Sequence, residues 1–267
     1  MKDYSFNNSY DLYTALRCAS PAERENIVKQ ANLDLLDNDG YTALMLAAMN
    51  GKKAIVNSLI KAKADLNIKD NAGRTALMYA AANGYKDIVD LLIKAGADLN
   101  IKDNDGQTAL IWAAKKGRKN IVDSLIEAGA DLNIKNKYGR TALIWAAKED
   151  RKNIVDSLIE AGADLNIKNK YGRTALMEAA YNGYKDIVDS LIKAGADLNI
   201  KNNRGYTALM EAVSDGHEGI AKSLLKVVEQ QHTEELNEAE QQIAALKKSV
   251  VELESKNAKL QAQGNNF

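Results

Sequence analysis

Cysteine and proline each occur once in the 267 residues, and tryptophan, phenylalanine and histidine twice each. With Cys18 alone, no internal disulfide can form, so the core has to hold by packing. Cys18 is read as a small buried apolar residue of a first helix, compatible with a reducing compartment. His217 and His232 fall in different elements with no cysteine beside them, which argues against a metal centre. The 36 basic residues are balanced by 36 acidic ones, so the surplus of positive charge that marks a general nucleic-acid binder is missing. No stretch approaches the ~18 consecutive apolar residues of a membrane helix. The start, MKDYSFNNSYDLY, lacks the apolar run of a secretory signal. The expected residence is the cytoplasm, without a membrane partner, export as an effector by another route being the alternative.

What is abundant is repetition. The stretch from Asn120 to Leu143, NIVDSLIEAGADLNIKNKYGRTAL, recurs letter for letter from Asn153 to Leu176, an offset of 153 − 120 = 33 residues. Gly40, Gly73, Gly106, Gly139, Gly172 and Gly205 follow one another at that spacing, each two residues ahead of Thr-Ala-Leu. A fixed period of this length means one structural unit copied along the chain. In the copy starting at Asp103, Asn104, Asp105 and Gly106 crowd a turn and Thr108 is placed as an N-cap. Ala109, Leu110, Ala113 and Ala114 then form the apolar face of a short helix. Gly117 interrupts it, and Ile121, Val122, Leu125 and Ile126 describe a second helix closed by Gly129 at C′. Ala130 to Ile134 alternates apolar with polar, which suits an extended hairpin arm. Neither helix can bury its face alone, so the Ala113-Ala114 pair is expected to meet the neighbouring copy closely in one shared core.

The run DNDGQTALIWAAKKGRKNIVDSLIEAGADLN and its relatives, spanning roughly Asp37 to Val228, resemble the ankyrin-repeat family. The resemblance implies an all-α solenoid of helix-turn-helix plus hairpin-arm units. The chain departs from the family in three places. The usual Pro-Leu-His after Thr is Ala-Leu followed by Met45, Met78, Ile111, Ile144, Met177 or Met210, which exchanges a preset helix start and an imidazole relay for apolar packing. Asp150 stands where the other copies have the interhelical glycine, and Lys63 where the C′ glycine belongs, so both sites are expected to be strained.

At the ends the pattern changes. Residues 1–36 read as a capping unit, with Leu12, Ala15 and Leu16 on one helix and Ile27 and Val28 on a second opened by Ser20 and Pro21. Five repeats fill 37–201, and a degenerate one fills 202–230. No helix breaker follows Gly219 until Gly264, so a coiled-coil helix is expected over 231–263 and a disordered tail over 264–267. Leu236, Ile243, Val250 and Asn257 are spaced by seven, as are Ala239, Leu246, Leu253 and Leu260, the a and d sets of a heptad. With β-branched residues and one Asn at a, and leucine at d, Leu236, Ile243, Leu246, Val250, Leu253, Asn257 and Leu260 are assigned to a parallel homodimer seam. The acidic run from Glu229 to Glu240 excludes a basic DNA-binding region before it.

No residue pattern supplies a nucleophile, a general base with partners or a phosphate-cradling loop, so the chain reads as non-enzymatic, with no cofactor and no metal. Asp98, Asp131, Asp164 and Asp197 recur at one repeat position and are read as turn residues. Variation between copies is more informative. Two positions after Thr-Ala-Leu the series runs Leu46, Tyr79, Trp112, Trp145, Glu178, Glu211. The family resemblance places this position, the residue after the turn glycine and the end of the first helix on a concave groove. Carried over, it gathers Tyr79, Trp112, Trp145, Arg74, Arg140, Arg173, Lys115, Lys116, Lys148, Tyr138, Tyr171, Glu178 and Tyr181 into an aromatic strip with basic flanks. Both indoles are expected to be partly exposed. The function expected is a protein-interaction module that binds an acidic or extended partner segment and is joined in pairs by its C-terminal helix. The alternatives are single-stranded nucleic-acid binding by stacking on Trp112 and Trp145, and structural assembly through the coiled coil alone.

Overall fold

The computed structural model describes the backbone of residues 5–264 and, Ala239 apart, the side chains of residues 5–249. The heptad residues Val250, Leu253, Asn257 and Leu260 therefore have side chains outside the described set, and residues 265–267 of the expected tail lie outside it altogether. Gly264, the first of that tail, closes the last helix.

Each repeat has a short first helix whose side chains, the last helix excepted, are mostly buried. These are α3 (Ala43–Met49), α5 (Ala76–Asn83), α7 (Ala109–Lys115), α9 (Ala142–Lys148), α11 (Ala175–Asn182) and α13 (Ala208–Ser214). Their threonine N-caps act as expected: Thr108 Oγ1 accepts the Ile111 N–H at 3.3 Å, and Thr42, Thr141, Thr174 and Thr207 do the same, whereas Thr75 caps without that bond. The second helices are α4 (Lys53–Lys61), α6 (Lys86–Lys94), α8 (Lys119–Glu127), α10 (Lys152–Glu160), α12 (Lys185–Lys193) and the start of α14 (Glu218–Gly264). They bury one stripe, Ile121, Val122 and Leu125 in α8. Their solvent face carries Lys-Asp pairs four residues apart, such as Lys119–Asp123 and Lys152–Asp156, which water and salt largely screen.

The first helices stack in one row and the second helices in another. The row of first helices is tight because Ala47, Ala48, Ala80, Ala81, Ala113, Ala114, Ala146, Ala147, Ala179 and Ala180 are fully buried, so backbones meet with only methyl groups between them. The core is continuous along the array rather than centred on one point.

Among the described residues there is no strand, so the expected hairpin arms are corrected to chains of turns. Asp131 Oδ1 accepts the Asn133 N–H at 2.8 Å, and its own N–H donates to Asn100 Oδ1 of the previous repeat at 2.9 Å. Asp98, Asp164 and Asp197 repeat the device. Side-chain acceptors thus replace the backbone ladder that strand pairing would have supplied. Lys63 and Asp150 are the non-glycine residues with positive φ among those described, at 63° and 54°, the strain their sequence positions imply.

The two helices expected at the start of the chain form. Ser20 and Glu23 complete a capping box ahead of Pro21 in α2 (Pro21–Gln30), which pairs with α1 (Ser9–Cys18) over Leu12, Leu16, Ile27 and Val28. Cys18 is exposed, against expectation. The buried face of α1 is Leu12, Tyr13 and Leu16, and a residue two positions past Leu16 is turned about 200° away from it.

At the far end no further repeat covers α13. Met210 and Val213 are 49% and 63% exposed there, where Met177 and Ala180 one repeat earlier are buried. The last helix, α14, runs for 47 residues, about 70 Å, and carries Leu236, Ile243 and Leu246 with more than half of each exposed.

Candidate functional site

The groove floor is built by the first residue of each repeat. Asp70, Asp103, Asn136, Asn169 and Asn202 are buried, and the Oδ1 of each accepts two backbone N–H groups that close its turn, as Asn136 does from Tyr138 at 2.9 Å and Arg140 at 3.0 Å. In four of the five, the other polar atom bonds the residue nine positions on, in the first helix. Asp70 accepts from the Tyr79 hydroxyl, and Asp103 Oδ2 from the Trp112 indole at 3.0 Å. Asn169 Nδ2 donates to Glu178 at 2.9 Å, and Asn202 Nδ2 to Glu211 at 2.6 Å. These floor residues were not assigned to the groove from the sequence. Their signal was the paired change between copies, acid with donor and amide with acid.

Above the floor the expected cations stand over the expected rings. Arg74 Cζ lies 4.8 Å from the Trp112 ring centroid, and Lys115 Nζ lies 5.3 Å from Trp112 and 4.5 Å from Trp145. Arg140 and Lys148 cover Trp145 at 4.7 and 5.3 Å. Arg173 covers Tyr181 at 4.2 Å and grips the buried Glu211 with two bonds of 3.0 Å, while Arg74 approaches Asp103 at 3.9 Å. Burial lowers the pKa of Lys115, and the nearby Lys116, Arg140 and Lys148 push it the same way, with Glu149 opposing. Lys116 is itself exposed at the end of α7 and joins the strip through its charge. Burial, then the hydrogen bond to Asp70, holds the Tyr79 hydroxyl well above the usual tyrosine range, and its ring meets Tyr41 edge-on at 5.8 Å.

The expected partial exposure holds for Trp112 and is corrected for Trp145. Trp145 is only 7% exposed, Tyr79 8% and Glu178 3%, while Trp112 is half-buried. These side chains form the floor: cations close over the rings, and buried turn residues hold the polar atoms of Tyr79, Trp112 and Glu178. Tyr138, Tyr171 and Tyr181 are exposed along the rim. A cavity of about 410 Å³ opens between Arg140, Lys148, Tyr171, Arg173, Glu178 and Tyr181, so the structure brings the second half of the assigned strip together around one depression.

Among the described residues no helix is long and apolar enough to cross a membrane. Comparison with curated proteins gives no match. Ankyrin repeats, generally protein-interaction modules and usually non-catalytic, match this sequence over residues 5–103, 96–169 and 153–235. Those matches take in the capping unit as well as all six copies, and the chain belongs to the ankyrin-repeat family.

Proposed function

We propose that the chain is a protein-binding module whose groove, from Arg74 to Tyr181, engages an acidic, extended segment of a partner protein, and that α14 joins two copies. The observation that carries the first part is the cation strip. Lys115, Lys116, Arg140 and Lys148 are consecutive along the groove, and none makes an ion pair with a carboxylate among the described residues. Positive potential concentrated in a concave, partly apolar surface favours a negatively charged ligand and its rapid encounter.

The second part is supported by the apolar seam of Leu236, Ile243 and Leu246, exposed on a helix that extends far beyond the repeats. Assembly through this helix alone would leave the strip without a use. Stacking of nucleic-acid bases is disfavoured by the same geometry that supports protein binding, since cations occupy the indole faces and Trp145 is buried.

The test is affinity capture with the full chain, a Lys115→Glu/Lys148→Glu variant and a chain lacking residues 231–267. The groove variant is expected to lose the captured protein while keeping the helical circular-dichroism spectrum, and the truncation to keep it with monovalent affinity. Loss on truncation with retention by the groove variant would transfer the function to α14.

A further inference from the structure

Four of the five polar floor pairs are complementary, and one is not. Asp70 and Asp103 offer an oxygen and meet the donors of Tyr79 and Trp112, while Asn169 and Asn202 offer an N–H and meet the carboxylates of Glu178 and Glu211. Asn136 offers an N–H, and the residue nine positions on is Trp145, whose indole is also a donor; neither Asn136 Nδ2 nor Trp145 Nε1 has a hydrogen-bond partner. The amide cannot turn over, because its oxygen already holds the Tyr138 and Arg140 N–H groups.

The mismatch has an electrostatic consequence. Every other pair contains one buried carboxylate, and Arg74 and Arg173 lean on two of them, Asp103 and Glu211. The Asn136–Trp145 pair contains none. The place equivalent to Arg74 and Arg173 in the preceding repeat is held by neutral Gln107, whose Oε1 also lacks a partner. Over this uncharged floor converge Lys115, Arg140 and Lys148, all within 5.3 Å of the Trp145 ring centroid. The Arg140 Nε is a further buried donor without an acceptor. Three positive groups thus gather over a floor pair that has no carboxylate of its own, with Glu149 acting on Lys115 from outside the pair, and the 410 Å³ cavity, which Glu178 also lines, opens beside Arg140 and Lys148.

We infer that the repeat beginning at Asn136, the fourth, carries a carboxylate-acceptor subsite, at which a Glu or Asp side chain of an acidic partner segment seats between Arg140, Lys148 and Lys115 of the preceding repeat. It rests on the groove reading above and narrows it to one repeat. The partner supplies the negative charge that repeats 2, 3, 5 and 6 supply internally. Arg140 presents a planar fork to the incoming oxygens, and the two lysines flank it as point charges.

The test places the missing carboxylate inside the protein. Asn136→Asp in the full chain gives the Trp145 N–H an acceptor, as Asp103 gives Trp112, so its melting midpoint is expected to rise. The same variant neutralises the subsite. Binding of a fluorescein-labelled oligoglutamate, read by anisotropy at low ionic strength, is expected to weaken about tenfold. Asn153→Asp, with the same change in net charge on the exposed face of α10, is expected to weaken it less than about twofold. Equal weakening by the two variants would overturn the subsite, as would tighter binding of oligothymidylate than of oligoglutamate by the wild type. If oligoglutamate does not bind while Lys115→Glu/Lys148→Glu still loses the captured protein, the subsite falls and the groove reading stands.

Discussion

Trp145 is held by its surroundings from every side: buried alanines of the first helices beside it, Asn136 at the floor, and three cations over its ring. Removing the ring therefore opens a cavity and leaves those cations without their π partner. Trp145→Ala is expected to cost ~3–5 kcal/mol in folding stability, as much as truncating the core residue Leu143 at ~2–5 kcal/mol. Trp112→Ala adds a second penalty, since the buried Asp103 loses its indole donor. Urea denaturation of the three variants checks this, and a Trp145→Ala cost below ~1 kcal/mol would show the ring to be a surface feature. The partial exposure expected of both indoles holds for Trp112 and fails for Trp145. The reason is physical. What covers each indole is a cation three residues on in its own helix together with one from the preceding copy, Arg74 over Trp112 and Lys115 over Trp145, and only comparison of several columns of the repeat reveals them.

Among the elements, the helix pairs and their order were legible because glycine spacing, threonine caps and apolar stripes all agree on one unit. The arms were not. A short alternation of apolar and polar residues reads as a strand, yet Leu132 and Ile134 are half-buried anchors of a turn whose polar groups bond to side chains. The two exceptions to the glycine rule offer a direct check on the strain argument. Gly96, Gly129, Gly162 and Gly195, the counterparts of Lys63, have open space where a Cβ would lie, so the position favours glycine through backbone conformation alone. Lys63→Gly and Asp150→Gly are each expected to stabilise the chain by ~1 kcal/mol, the left-handed cost outweighing the greater freedom of glycine in the unfolded state. A thermal midpoint raised by about 2–4 °C is the expected reading, and a lowered one would mean that neither site is strained.

Across the whole molecule, the two ends of the array differ in a way that bears on assembly. The first end is closed by a polar helix pair, while the last exposes Met210, Val213 and Leu225, with Leu225 in register with Leu246 on the seam of α14. An open apolar end continued by an apolar seam is suited to a second copy of the same chain. Light scattering at micromolar concentration is expected to give a dimer for the full chain and a monomer after deletion of residues 231–267; a monomeric full chain would remove the helix from the proposal. The groove is the more central claim, and hydrogen–deuterium exchange of the full chain with its captured partner tests it most directly. Protection is expected in the turns and first helices of repeats 3 to 5, between Asp103 and Asn182, with the outer helices α8, α10 and α12 unchanged. Protection confined to those outer helices or to α14 would contradict it.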